Sequence, residues 1–202
     1  MFRAGLAVMA LAAAGMACAD EGWSGAATLQ WTASRTSDDF ATFVATADHG
    51  ALHLEGRANY EAIHAQSAFA GGTFSLGDSV KLEATPMAGF VGGALRGPIA
   101  GLEATFTAGP VDYYLEAEHV WDESDRNASY TYAWTQLGYR PSEEHWAHFG
   151  VVAQRTRIYG GGREIQRGPF LELTWKKLTF GGYWLNPGSS QEVAIASVAV
   201  SF

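Results

Sequence analysis

The sequence has little of what stabilises a small exported protein or binds nucleic acid. It contains one cysteine among 202 residues, which excludes a framework of internal disulfides. Its 13 basic residues face 21 acidic ones, and the net charge of −8 argues against nucleic acid as a partner, because phosphate binding needs clustered positive charge. Beyond residue 20 no apolar run reaches the 18 residues that indicate a transmembrane helix. Stability must come from packing or from a membrane crossed in another way.

The first 19 residues predict a secretory signal peptide, so the expected division is 1–19 for the signal and 20–202 for the mature domain. Arg3 supplies the positive start, residues 6–16 are an apolar stretch, and Ala17-Cys18-Ala19 forms a cleavage site of small residues. The stretch is shorter than the roughly 20 residues that span a bilayer. Lipid attachment at Cys18 is the alternative, although the residues before it match a lipoprotein box poorly.

The rest of the chain alternates between apolar and polar residues with a period of two, and turn residues separate the runs. There is no helical periodicity, second domain or linker. The pattern predicts twelve strands, at 25–34, 40–48, 51–61, 66–76, 80–92, 99–108, 111–121, 128–140, 144–158, 164–176, 178–186 and 192–202.

The two faces of these strands differ in chemistry. In 99–108, for example, Leu102 and Phe106 share one face, while Glu103 and Thr105 share the other. A soluble sandwich turns its charged face to water, whereas a membrane barrel turns its apolar face to lipid and its polar face to the lumen. Frequent aromatic residues (7 Trp, 8 Tyr, 11 Phe) are typical of the girdles of membrane barrels.

The connections between the predicted strands alternate strictly between short and long. The even-numbered ones are tight (48–50, 77–79, 109–110, 141–143 and 176–177), and the odd-numbered ones are longer or more polar (34–39, 93–98, 122–127, 159–163 and 187–191). Outer-membrane barrels have short periplasmic turns and longer external loops. An even number of strands would also bring both termini to the periplasmic side.

The last run ends in Phe202, with Val200, Val198, Ala196 and Ala194 on the same face. This resembles the terminal strand of bacterial outer-membrane β-barrel proteins, and the runs 154–157 and 165–168 look like segments of such proteins of unassigned, porin-like function. The resemblance implies an outer-membrane location and recognition of Phe202 by the barrel-assembly machinery. The predicted fold is all-β: one antiparallel transmembrane β-barrel of about 12 strands, with both termini periplasmic.

The charged residues on the polar face predict the lumen chemistry. Alternation assigns to the lumen Glu55, Arg57, Lys81, Glu83, Glu103, Asp112, Glu116, Glu118, Arg140 and Glu172, together with Lys176. Seven acids against four bases predict a narrow, porin-like passive channel for small cationic or neutral solutes. The alternatives are a closed, salt-bridged barrel with a structural or adhesive role, and a soluble exported β-barrel that binds a ligand.

Three arginines continue the apolar, lipid-facing side at the external end of two strands. Arg155, Arg157 and Arg167 are expected to contact lipopolysaccharide phosphates, because arginine binds phosphate through two parallel hydrogen bonds and is tolerated near the interface. The alternative is a β-bulge that turns these side chains into the loop.

Catalysis and cofactors are not expected. Some twelve-stranded outer-membrane barrels are phospholipases with a Ser-His pair on the outer wall, but the strand facing His119 offers Thr131 and no serine. His145 and His148 fall on opposite faces of a strand and cannot share a metal ion. The acidic run at 122–125 is a weak candidate for calcium.

Overall fold

The computed structural model describes residues 22–142, 146–158 and 162–202. The predicted signal peptide, residues 1–19, and His145 lie outside this part of the chain. The described strands are β1 (Trp23–Ser34), β2 (Phe40–His49), β3 (Leu52–Ala58), β4 (Ala65–Gly72), β5 (Phe74–Leu76), β6 (Val80–Gly93), β7 (Gly97–Ala108), β8 (Val111–Val120), β9 (Tyr130–Tyr139), β10 (Ala147–Ile158), β11 (Arg163–Trp175), β12 (Leu178–Leu185) and β13 (Val193–Ser201). A single 3₁₀ turn, Arg126–Ala128, is the one helical element that these residues form. Within the same ranges no helix has the length and apolar character needed to cross a membrane.

The strands form one antiparallel sheet that closes on itself. Neighbours in sequence pair with each other except β4 and β5, which both pair with β6. β13 returns to pair with β1, where Trp31 lies opposite Ala196. Backbone hydrogen bonds between Gly25 and Phe202, of 3.2 and 3.0 Å, complete the seam. The result is a closed barrel of twelve strands plus the short strand β5, and it confirms the predicted antiparallel barrel of about 12 strands.

The predicted strand 66–76 is interrupted, which is why β4 and β5 are separate. The register is the same on both sides of the break, since Gly71 pairs with Met87 and Phe74 pairs with Ala84. Pro86, on the partner strand β6, faces the break and has no N–H to donate to the ladder. The hydroxyls of Thr73 and Thr85, 2.9 Å apart, hold the two strands together there. Thus β5 continues β4 geometrically, and the barrel wall stays whole.

Strand β3 ends at Ala58, three residues before the predicted end at residue 61. Asn59 adopts a left-handed backbone with φ of 57°, a conformation that asparagine tolerates better than most residues. Its side chain donates to the carbonyl of Ala41 (3.1 Å) and accepts from the N–H of His64 (2.9 Å). These bonds turn residues 59–64 into a loop, and alternation cannot orient side chains in it.

The two ends of the barrel carry different connections. We call the end with connections 50–51, 77–79, 109–110 and 176–177 the turn end, and the end with 35–39, 59–64, 94–96, 121–129 and 186–192 the loop end. The predicted strict alternation of lengths is wrong at two places, since 94–96 is short and 140–146 is long. Loop 94–96 is short because hydrogen bonds join it to its neighbours, from Ala94 N–H to the His64 carbonyl (3.1 Å) and from Glu123 N–H to the Arg96 carbonyl (2.8 Å).

The outer surface of the barrel is apolar and its interior holds the charges. Large apolar side chains such as Trp31, Leu137 and Val151 are about half exposed on the outside. Glu55 and Glu118, by contrast, are almost fully buried inside. A soluble barrel would reverse this arrangement. The distribution is that of a membrane-spanning barrel, whose apolar band faces lipid.

Hydrogen bonds order the segment 121–129 at the loop end. The Asp122 carboxylate accepts backbone N–H groups from Asp125 (2.7 Å), Arg96 (3.0 Å) and Ser124 (2.8 Å), and these bonds hold the pKa of Asp122 below its usual value. The Asp125 carboxylate accepts the N–H of Asn127 at 2.9 Å. The carboxylates of Asp122 and Asp125 are thus used in ordering the loop. Among the described residues no group of three or more potential ligands has metal-binding geometry.

Two glycines provide a matched test of how closely the strands pack. A methyl group on Gly168 would meet the backbone carbonyl of Trp184, whereas one on Gly182 would meet nothing within 4 Å. We expect G168A to lower the free energy of unfolding by about 1–3 kcal/mol, because backbone must shift to relieve the overlap. G182A should change it little. Urea unfolding in lipid vesicles measures both, and equal losses would contradict this account of the packing.

Candidate pore lining

The barrel interior is partly empty. It contains a cavity of about 900 Å³ whose lining includes Arg140 and Thr179 near the turn end and Leu95 at the loop end. A second cavity of about 320 Å³ at the loop end shares lining residues with the first, among them Thr32 and Gln154. The space therefore extends along the barrel.

One wall of this space is uncharged, and we call it the open wall. It consists of β1, β2, β12 and β13. None of the described residues that these strands contribute to the lining is charged, and the polar ones are Thr28, Gln30, Thr32, Thr42, Thr179, Tyr183 and Ser197. Hydroxyl and amide groups can donate and accept hydrogen bonds, so this wall can replace water around a polar solute.

The opposite side is filled by an ion-pair cluster, the Arg57 plug, which consists of Arg57 and four glutamates: Glu55, Glu61, Glu116 and Glu118. The Arg57 side chain is only 2% exposed. Its Nε donates to Glu55, and its Nη1 lies 2.8 Å from Glu118, 3.0 Å from Glu116 and 3.7 Å from Glu61. Four carboxyl groups thus surround one guanidinium.

The Arg57 plug crosses the lumen. Arg57 is on β3, and its partners Glu116 and Glu118 are on β8, with β4, β6 and β7 between them in the sheet. The contact must therefore run through the interior and not along the wall. Beneath it lie apolar side chains of the intervening strands, including Phe69, whose ring centre is 4.7 Å from the guanidinium carbon. The plug and this apolar layer close one side of the barrel.

Hydroxyl groups hold the glutamates of the plug in place. Tyr60 donates to Glu116 (2.8 Å), Tyr130 donates to Glu118 (2.9 Å), and Ser67 donates to Glu61 (2.6 Å). The Tyr60 ring also stacks under the guanidinium, with 4.4 Å between the guanidinium carbon and the ring centre. Such bonds satisfy polar groups that burial removes from water.

A second charged group, the turn-end cluster, comprises Asp112, Arg140, His148, Glu172 and Tyr183. The two nitrogens of His148 lie 2.7 Å from Glu172 and 3.2 Å from Asp112. Arg140 also pairs with Asp112, and the Tyr183 hydroxyl donates to Glu172. Gly138 makes room for this cluster, since a β-carbon at that position would overlap the His148 ring.

The structure places the predicted lumen residues in different surroundings. Those that line the cavity are Asp112, Glu116, Glu118, Arg140 and Glu172, while Glu55 and Arg57 are buried in the plug behind it. Glu103 lies directly opposite Glu116 in the sheet, outside the cavity lining. Lys81 and Glu83 are half exposed and pair with each other at 3.2 Å. Lys176 lies in a turn over the Trp175 ring, so its assignment to the lumen is wrong.

Sequence reasoning missed His148 and Glu61. His148 is buried and precedes Phe149, which is exposed on the outer face, so alternation alone could have assigned the histidine to the lumen. Glu61 lies in the loop beyond β3, where alternation has no meaning.

Two of the three arginines predicted to face outwards are exposed. Arg155 and Arg167 are exposed on β10 and β11, and the register between these strands runs without an inserted residue from Ala147 to Arg157. The paired stretch therefore contains no bulge that would turn them into the loop. The side chain of Arg157 lies outside the described part. His119 contacts Thr131 at 2.8 Å and Trp121 edge to face, and within the described ranges it has no carboxylate partner.

No protein-family model matches the sequence, and no curated protein matches it. Among solved structures, the KdgM porin is similar, with 11% identity and a TM-score of 0.65 over 88% of this chain and 99% of that chain. The KdgM porin in complex with disordered oligogalacturonate gives 10% identity and a TM-score of 0.65 over the same shares. OccK5 (OpdH) of Pseudomonas aeruginosa gives 10% identity and a TM-score of 0.48, over 91% of this chain and 67% of that chain.

The chain has the fold of the KdgM porin. The match covers nearly all of that protein, and the closed barrel and the apolar outer surface agree with it. The predicted porin-like β-barrel architecture is thus confirmed.

The ion pairs of the plug predict a large, specific loss of stability. R57Q would leave four carboxyl groups buried without their cation, and we expect it to lower the free energy of unfolding by about 3–5 kcal/mol. R57Q/E118Q should recover part of this loss, because the second substitution removes one of the buried carboxylates that R57Q leaves without a cation. As a control, R35Q removes an exposed pair with Glu192 and should cost about 0–1 kcal/mol. Urea unfolding measures all three variants. Equal losses in the free energy of unfolding for R57Q and R35Q would contradict the large contribution of the plug to stability.

Proposed function

We propose that this protein is a narrow, porin-like passive channel of the bacterial outer membrane for small cationic or neutral solutes. The observation that carries the proposal is the cavity of about 900 Å³ beside the plug, with lining residues from both ends of the barrel. The loop end faces outwards and the turn end faces the periplasm, as the tight turns of outer-membrane barrels do. Assembly through recognition of Phe202 belongs to the same proposal.

The charges beside the cavity support the solute preference. The plug places four carboxyl groups against one guanidinium, and three of them, Glu61, Glu116 and Glu118, also line the cavity. An excess of carboxylates attracts cations and repels anions. The open wall adds neutral hydroxyl and amide groups for uncharged polar solutes. The KdgM porin, a barrel of the same fold, forms a complex with disordered oligogalacturonate, which supports solute binding by such a barrel. That solute is an anion, so the preference for cations rests on the carboxylates of this chain alone.

A closed barrel with a structural or adhesive role is the second candidate, and the Arg57 plug favours it. The plug fills one side of the lumen with ion pairs, the arrangement that a salt-bridged closed barrel requires. Conductance across a planar bilayer distinguishes the two functions, because a closed barrel passes no current.

Substitutions in the open wall test ion selectivity without disturbing the plug. Substitutions of Glu116 or Glu118 would also break the ion pairs of Arg57. Gln30 lines the cavity, and its cross-strand partners, Thr42 and Ser197, are uncharged. We expect Q30K to lower the ratio of cation to anion permeability on the order of fivefold, because a unit charge about 4 Å from an ion in water contributes about 1 kcal/mol. Q30E should raise the ratio. Reversal potentials under a salt gradient measure both.

The control for this experiment is S124K, which adds the same charge to a loop outside the cavity lining and should leave the ratio unchanged. A wild-type preference for anions would contradict the acidic channel. A folded protein without conductance would contradict any channel and leave the closed barrel as the function.

A further inference from the structure

We propose that Arg155, Arg163 and Arg167, the outer arginine patch, bind the phosphate groups of lipopolysaccharide. The site is on the outside of the barrel and does not involve the cavity. It depends on the orientation given above, in which the loop end faces outwards. The three arginines lie on two paired strands near that end, and all three are exposed.

The strand register brings the three arginines around one point. Arg155 on β10 lies opposite Ile165 on β11, and Arg163 and Arg167 are the residues two positions on either side of Ile165. Both are therefore diagonal neighbours of Arg155 on the same face, at about 7–8 Å between backbone positions. Guanidinium groups at this spacing can converge on one phosphorylated headgroup.

The patch has no carboxylate counter-charge among the described residues. Glu164, the acid nearest in sequence, alternates to the other face and accepts a hydrogen bond from Gln166 at 2.8 Å. By contrast Arg35, at the same end, pairs with Glu192 at 3.1 Å. The three positive charges repel one another across the diagonal positions. An external anion bound between them would relieve this repulsion.

The position of the patch on the barrel indicates which anion it meets. Towards the turn end, the outer faces of the same two strands carry exposed Val151, Phe149 and Leu171. This apolar stretch belongs to the band that faces the lipid tails, so the patch lies at the level of the headgroups. Arginine is far better tolerated there than at mid-bilayer. It also binds phosphate through two parallel, charge-assisted hydrogen bonds.

The test is the affinity of the purified protein for lipopolysaccharide in neutral detergent. We expect R155Q/R163Q/R167Q to bind on the order of a hundredfold more weakly, since each basic side chain near anionic lipid contributes about fivefold. The corresponding triple lysine variant keeps the positive charge but loses the planar guanidinium that binds phosphate through two hydrogen bonds. Its affinity should fall between that of the wild type and that of the triple glutamine variant. R96Q/R126Q removes two exposed arginines from other loops of the same end and should bind like the wild type.

Folding and conductance are measured on every variant, so a failure of the channel proposal is seen separately from a failure of this one. Heat-modifiable migration on gels shows that the triple variant has assembled. Unchanged lipopolysaccharide affinity of the folded triple variant would overturn the proposal. Equal weakening by R96Q/R126Q would overturn it too, because general charge attraction would then suffice. Equally tight, patch-dependent binding of phosphatidylglycerol would overturn the assignment to lipopolysaccharide in favour of any anionic lipid.

Discussion

The ion pairs of Arg57 across the lumen are the constraint on which the interior depends. Removing a guanidinium and several carboxyl groups from water is costly, and only close pairing with additional hydrogen bonds offsets that cost. The plug meets this demand, since Tyr60 and Tyr130 donate to two of its carboxylates. Because the pairs join β3 to β8, the width and closure of the barrel must match the reach of one arginine side chain.

The plug divides the lumen and leaves the other side open. The sequence predicts either an open acidic channel or a closed barrel full of salt bridges, and the interior combines features of both. Its ion pairs occupy the space over β4, β6 and β7, while the hydroxyl-bearing wall of β1, β2, β12 and β13 borders the cavity. The proposed channel is therefore narrow and asymmetric, with acidic groups on one side and neutral polar groups on the other.

Most of the fold and part of the site could be predicted from the sequence. Alternation places Glu116 and Glu118 inside and Leu137 outside because successive side chains of a strand point to opposite faces. It fails where the backbone leaves the strand conformation, as at Asn59, and where a ladder bond is missing, as beside Pro86. Connection lengths are also mispredicted, because hydrogen bonds between loops of different strand pairs determine the short link 94–96.

The sequence by itself determined the strand pattern, the face on which each strand residue lies and the acidic excess of the interior, since these depend only on local periodicity and composition. Only the tertiary structure decided which interior charges meet. Arg57 and Glu118 are 61 residues apart in the chain, and their contact exists because barrel closure brings β3 and β8 to face each other. A period of two specifies a face but not a partner across the lumen, so the plug, the open wall and the cavity between them follow from closure.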